Sequence, residues 1–338
     1  MTYKVVATYE HPIVPLDAEI FRQMGAEFTQ KVCQSEDDVI AVAGDADIII
    51  TLIEPFTKKV IESLPKCRLI MTPKVGVENI DLASATEHGV LVANAGDYSK
   101  EEVSDHAMAL LLACARKICR LDRAAREGKW TGTMNQEIRQ IWIPTFRLSG
   151  HTLGMIGLGR IGRALVPKAK GFGLKIITYD PYVSKDSIRE SGVELVELDY
   201  LLRESDYISI HAVSTKDNYH LLGIEQFKKM KPTAYIINTA RGALIDEQAL
   251  YTALTENYIA GAGLDVLEAE YVNSDNPLLI LDNVIISCHS AHVSNESTAR
   301  LPYLPGEEVA RIIRGKLPHA LVNPQAKEKY QQKWGDFK

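Results

Sequence analysis

The sequence predicts an α/β protein made of two doubly wound parallel-sheet domains, and three observations carry that expectation. Short β-branched runs alternate along the whole chain with stretches whose apolar residues recur at helical spacing, the pattern of βαβ units. The chain has 338 residues, more than one ordinary core accommodates. The rhythm also stops and restarts: an irregular stretch, WTGTMNQEIRQIWIPTFRLSG, separates two sets of strand candidates.

In the first set TYKVVATY reads as a strand, the stretch around Asp17 to Met24 as a helix, and DIIITLI, RLIMTP and VLVANA as further strands. From Ser99 to about Lys129, residues Ala107, Leu110, Leu111, Ala115 and Ile118 fall at helical spacing, which predicts one long helix or two. The irregular stretch is too apolar for a linker and is expected to pack on something, a second subunit included. After Gly150 the second set runs HTLGMIG, LKIITYD, YISIHAV, AYIINTA, AGAGLDV and NVIISCH. The segment Glu296 to Arg314 is largely helical after its prolines. The expected division is residues 1–100 with 296–338 in one domain and 101–295 in the other.

Composition narrows the function. At 46% hydrophobic and 24% charged, with a formal net charge of −6 and no basic run, the chain reads as folded. It lacks the electrostatic footprint of a nucleic-acid binder. Its longest apolar run, Ala107 to Ala115, is far short of the roughly 20 residues that span a bilayer, so no membrane partner is expected. The start, MTYKVVATYEHPIVP, has no signal-peptide layout. Cys33, Cys67, Cys114, Cys119 and Cys288 form no CxxC pair, which argues against a structural metal and a disulfide framework. A reducing, cytoplasmic setting and no metal are the expectation.

The first chemical signal is GMIGLGRIG, with Gly157, Gly159 and Gly162 in GxGxxG spacing after an apolar strand and before a helical stretch. Glycines there permit a tight turn and close backbone approach, and the helix start attracts a pyrophosphate. The spacing alone is weak, since a glycine-rich turn is often only structural. Context strengthens it: the next strand, LKIITYD, ends in Asp180, near the roughly 20-residue offset at which an acid accepts hydrogen bonds from the adenosine ribose. An acid there repels a 2′-phosphate, so the expected cofactor is NAD, bound on a Rossmann domain.

Downstream, NTARGALIDEQAL, GAGLDVLEAE and SCHSAH complete a pattern that resembles the D-isomer-specific 2-hydroxyacid dehydrogenase family, from about Thr51 to Arg314. The resemblance implies an NAD-dependent oxidoreductase that interconverts a 2-keto acid and a D-2-hydroxy acid. It implies a Rossmann nucleotide domain, a flavodoxin-like substrate domain, a cleft closing between them, and a homodimer. Helices around Glu101 to Lys129 and the stretch Ile138 to Phe146 would form the dimer contact. By position, Arg241 grips the substrate carboxylate, His289 is the acid/base and Glu270 supports its imidazolium. Cofactor contacts are expected from Gly157, Gly159, Arg160, Ile161, Gly162, Asp180, His211 and Ala212, and from Thr239, Ala240, Asp265 and Ala291. Backbone amides of Val75 and Gly76 would receive the carboxylate. Without the resemblance, Arg241 and Glu270 read as surface residues and His289 as a packed histidine.

Lys74 either reads a second anionic group on the substrate or faces solvent and pairs with Glu78. His292 stands where relatives usually carry an aromatic residue, and it is a candidate substrate-facing side chain. Cys288 and Tyr271 stand where relatives usually have proline, and His211-Ala212-Val213 replaces their H-x-P; no chemical group of the mechanism is lost. The run Asn218 to Leu222 (NYHLL) resembles the corepressor branch of the family, which leaves a nucleotide-sensing interaction protein as an alternative. A phosphite-type dehydrogenase on the same fold is the other. Glu270 argues against the formate enzymes, which lack it.

Overall fold

The computed structural model describes residues 2–12, 14–132, 135–188 and 191–338. They form two compact units, Met1–Tyr98 with Ser294–Lys338 and Ser99–Val293.

The first unit holds β1 (Lys4–Ala7), β2 (Glu27–Gln30), β3 (Ile48–Ile50), β4 (Leu69–Met71) and β5 (Leu91–Ala93). They lie in the order β2-β1-β3-β4-β5, all parallel. This is the flavodoxin-like order. Ile48, Ile49, Ile50, Leu69, Ile70, Met71 and Leu91 are wholly buried. Helices cover both faces of such a sheet, so its strands read as unbroken apolar runs. β2 (EFTQ) escapes that pattern, because an edge strand leaves its polar side chains in solvent. The C-terminal segment completes this unit: the Asn323 side chain accepts from the Val92 N–H at 2.8 Å, and Val309 and Ile312 of the helix Leu304–Ile313 join the core.

The second unit carries β6 (Thr152–Ile156), β7 (Lys175–Tyr179), β8 (Glu194–Leu195), β9 (Tyr207–Ile210), β10 (Tyr235–Asn238), β11 (Gly261–Leu264) and β12 (Val284–Ile286). Their order is β12-β11-β10-β9-β6-β7-β8, again parallel, and it is that of a Rossmann sheet. The order reverses between β6 and β9, and the crevice beyond their carboxyl ends is where such sheets bind ligands. The helical stretch after Ser99 is two helices, Lys100–Ala115 and Ile118–Arg126, separated by Lys117 in the left-handed conformation at φ 57°. Leu110 and Cys114 of the first helix pack on Gly263 of β11, where a side chain would crowd them.

In the irregular stretch, residues 133 and 134 lie outside the described ones. The remainder contains the helix Gln136–Trp142, whose first amides are capped by the Asn135 side chain. Trp130 and Ile143 are 70% and 66% exposed, so within one chain this stretch leaves apolar surface uncovered. Among the described residues no helix is long and apolar enough to cross a membrane.

Candidate active site

The glycine-rich turn follows β6 at the switch point. Gly157 has φ 95°, a conformation that side chains rarely adopt, and a Cβ there would lie 2.7 Å from the Ala212 nitrogen and 2.8 Å from the His211 carbonyl carbon. The ends of β6 and β9 therefore meet only through glycine. A Cβ on Gly162 would crowd the Gly157 carbonyl at 2.7 Å, so this glycine lets the helix Arg160–Gly171 seat on the turn. Gly159 differs, with nothing within 4 Å of its Cβ position. Its backbone and the helix start, with Arg160 exposed and Ile161 partly so, face open space.

Asp180, just past β7, accepts from the Leu158 N–H at 2.8 Å and from the Tyr182 N–H at 2.9 Å. It braces the glycine turn from the adjacent strand. Two buried polar atoms stand without a protein partner at the ends of β9 and β10: His211 Nδ1 and Thr239 Oγ1. The other His211 nitrogen, Nε2, lies 2.8 Å from Ser209 Oγ, and burial lowers the pKa of this ring to about 4. Unsatisfied buried groups are rare in folded proteins. Together with the open approach at Gly159, they fit a dinucleotide laid over this edge of the sheet.

Arg241, Glu270 and His289 follow β10, β11 and β12, three neighbouring strands, at their carboxyl ends. His289 Nδ1 lies 2.8 Å from Glu270 Oε1, so the structure brings these two together. Both are well exposed, at 43% and 67% for the side chains. Arg241 is partly buried and donates from Nη1 to the Ala240 carbonyl at 2.7 Å, while its own carbonyl accepts from the Asn238 side chain at 2.9 Å.

The His289 backbone is held by Asp265, only 2% exposed, at the end of β11. The His289 N–H donates to the Asp265 carbonyl at 2.6 Å. The Asp265 carboxylate accepts from the Ser290 N–H at 2.9 Å, the Ala291 N–H at 3.0 Å and the Ser287 hydroxyl at 2.7 Å. Because that hydroxyl spends its proton on Asp265, it can only accept from His106 Nε2, 2.7 Å away, and this fixes the His106 tautomer. Cys288 and His289 both have left-handed backbones, at φ 55° and 54°. His292 packs edge-on against His289 with centroids 5.8 Å apart. Burial, and then the His289 charge, lower its pKa.

Val75 and Gly76 lie in the first unit, on a turn after β4. Val75 is 38% exposed, and its carbonyl accepts from the Asn94 side chain at 2.6 Å. Lys74 Nζ lies 3.7 Å from Glu78 Oε2, the structural alternative for that lysine. Sequence reasoning passed over His106, Ser287 and Glu268. The available signal was a histidine at the head of the apolar run Ala107–Ala115 and an extra acid two residues before Glu270.

Residues 108–291 match the family model described as D-isomer specific 2-hydroxyacid dehydrogenase, NAD binding domain. The chain is 41% identical over 296 residues to a glyoxylate reductase of Korarchaeum cryptofilum, covering 86% of this chain and 87% of that one. It is 40% identical over 291 residues to a D-3-phosphoglycerate dehydrogenase of Methanocaldococcus jannaschii, covering 86% of this chain and 54% of that one. Among solved structures it resembles an acyclic imino acid reductase in complex with NADPH and D-Arg, with a TM-score of 0.80 and 29% identity over 94% of this chain and 99% of that one.

Proposed function

The chain belongs to the D-isomer specific 2-hydroxyacid dehydrogenase family, and from that premise we propose that it is an NAD-dependent reductase of a small 2-keto acid, acting in reverse on the D-2-hydroxy acid. The observation that carries this reading is the 2.8 Å contact between His289 Nδ1 and Glu270 Oε1 at the ends of β12 and β11. With Nδ1 engaged, Nε2 is the nitrogen left to hold the transferable proton. In reduction His289 delivers that proton to the carbonyl oxygen, and Glu270 holds the ring through its Nδ1. Arg241 binds the substrate carboxylate through its planar fork and orients the carbonyl. The bound nicotinamide supplies the hydride.

The glycine turn, Arg160, Ile161, His211, Ala212, Thr239, Ala240, Asp265 and Ala291 are the proposed cofactor contacts. Asp180 beside the turn supports NAD over NADP. The Val75 and Gly76 amides are proposed anion donors of the first unit. Exposed Trp130, Trp142, Ile143 and Phe146 support a homodimer, and the scattered cysteines support a reducing, cytoplasmic setting.

The test is the initial rate of NADH oxidation with a panel of 2-keto acids: glyoxylate, pyruvate, hydroxypyruvate, and branched, aromatic, dicarboxylic and phosphorylated members. Turnover with a clear preference is the expected result, and a dianionic winner would give Lys74 a role in specificity. Tight NADH binding with no turnover on any member would overturn the enzyme reading in favour of a nucleotide-sensing one.

A further inference from the structure

The Asn218–Leu222 run, on the loop that leaves β9, makes contacts in two directions. Towards the Arg241 segment, the His220 N–H donates to the Ala243 carbonyl at 2.9 Å, the Leu222 N–H to the Leu244 carbonyl at 3.1 Å, and the Asp246 N–H back to the Leu222 carbonyl at 3.1 Å. Towards the Glu270 segment, the Tyr219 hydroxyl donates to Glu268 Oε1 at 2.5 Å, and His220 Nε2 lies 2.8 Å from the same oxygen. The two rings stack with centroids 3.9 Å apart. His220 holds this pose from a left-handed backbone at φ 53°.

The protons on this cluster can be assigned. Burial works against a charge on Glu268, but hydrogen bonds from Tyr219 and His220 and the His220 charge hold its carboxyl below the usual range. It is therefore an acceptor only. Its bond with Glu268 raises the Tyr219 phenol, which keeps its proton and donates. His220 must then carry hydrogen on Nε2, while its Nδ1 lies 3.8 Å from Asp246 Oδ2. Two donors thus converge on one carboxylate oxygen.

A third contact closes the circuit. Gly242, next to Arg241, is pressed so tightly on the Leu267–Glu268 backbone that a Cβ would overlap the Leu267 carbonyl. The Glu268 N–H also donates to the Glu247 carboxylate. The Arg241 and Glu270 segments are thus joined directly at Gly242 and at Glu247, and again through Tyr219 and His220.

We propose that Tyr219 and His220 are positioning residues that latch the segments carrying Arg241 and Glu270 into one register, so that the carboxylate-binding arginine and the acid's partner are presented together. This rests on the reading of Arg241, Glu270 and His289 given above. The latch touches neither substrate nor reacting atoms and acts through Glu268.

The test uses the full chain with Tyr219→Phe, His220→Leu, their double variant, His220→Gln, and His289→Ala as a control. His220→Gln keeps an N–H within reach of Glu268, and both His220 variants carry the same backbone strain. Loss of a charge-assisted donor corresponds to about a tenfold effect. The double variant should lower kcat by about that factor or more on glyoxylate, or on whichever panel member the parent reduces fastest. KM for NADH should stay within about twofold, and His220→Gln should recover most of the His220→Leu loss. Without cofactor, hydrogen exchange in the peptide spanning residues 265–271 should quicken about tenfold in the double variant. Unchanged exchange there, or His220→Gln no better than His220→Leu, would overturn the latch. A parental rate in His289→Ala would instead overturn the reading of the acid, and the positioning role would fall with it.

Discussion

Replacing Asp265 by asparagine tests the scaffold under His289, because it changes one atom's hydrogen-bonding sense and almost no volume. Oδ1 of Asp265 accepts from the Ser287 hydroxyl and the Ser290 N–H, and Oδ2 from the Ala291 N–H. An asparagine with its carbonyl at the Oδ1 place keeps two of these bonds and points an NH2 at the Ala291 N–H. Flipped, it satisfies Ala291 and points the NH2 at the Ser290 N–H. Either way two donors face each other beside a residue that is 2% exposed. The lost bond to a charged acceptor is worth about 1.5–3 kcal/mol, and a buried donor left unpaired costs about 1–3 kcal/mol. Relief from holding a buried charge offsets part of this, so a net loss of about 2–3 kcal/mol is expected. For a unit of this size that lowers Tm by about 4–12 °C. Urea unfolding of parent and variant, followed by tryptophan fluorescence, reads the difference directly. A change below about 0.5 kcal/mol would refute the reasoning, because it would mean that the amides after His289 do not depend on the carboxylate.

Three further outcomes are expected. His211 has its pKa lowered by burial from 6.5 to about 4, so between those values the unfolded chain binds a proton that the folded chain refuses. Stability should therefore fall as the pH drops from 6.5 to 4, by about 2–3 kcal/mol from this group, and His211→Gln should flatten that part of the stability–pH curve. Asp180→Ala should reduce the preference for NAD over NADP in kcat/KM by about tenfold, or 1.4 kcal/mol; a parent that uses both cofactors equally well would contradict the ribose argument. Gly242→Ala should destabilise the protein by about 2–4 kcal/mol, since the added methyl meets fixed backbone and not a movable side chain; a thermal melt unchanged from the parent's would show that the two segments can separate freely.

The central strands were legible because a sheet covered on both faces writes itself as apolar runs. Ile48–Ile50, Leu69–Met71 and Tyr235–Asn238 are such runs, and all are inner strands. Glu27–Gln30 and Glu194–Leu195 were not, because these two edge strands are largely polar and turned to solvent, whereas the edge strands Leu91–Ala93 and Val284–Ile286 are apolar and read as strands. In the site, Glu270 and His289 stand in motifs that mark them one at a time. The residues behind them could not be read this way. His106 meets Ser287, and His220 meets Glu268, only once the sheet has brought distant stretches of chain to one edge. NYHLL was visible as a string, but its contacts were not, since hydrogen bonding to Glu268 leaves no local period or spacing to detect.

The left-handed backbone at Cys288 has a consequence for how this sequence can drift. Proline, the residue that usually precedes the histidine in relatives, is confined by its ring to φ near −65°, whereas this chain holds φ at +55°. The two residues are thus not interchangeable spellings of one turn. A single Cys288→Pro exchange would have to swing the peptide by more than a right angle and carry His289 with it.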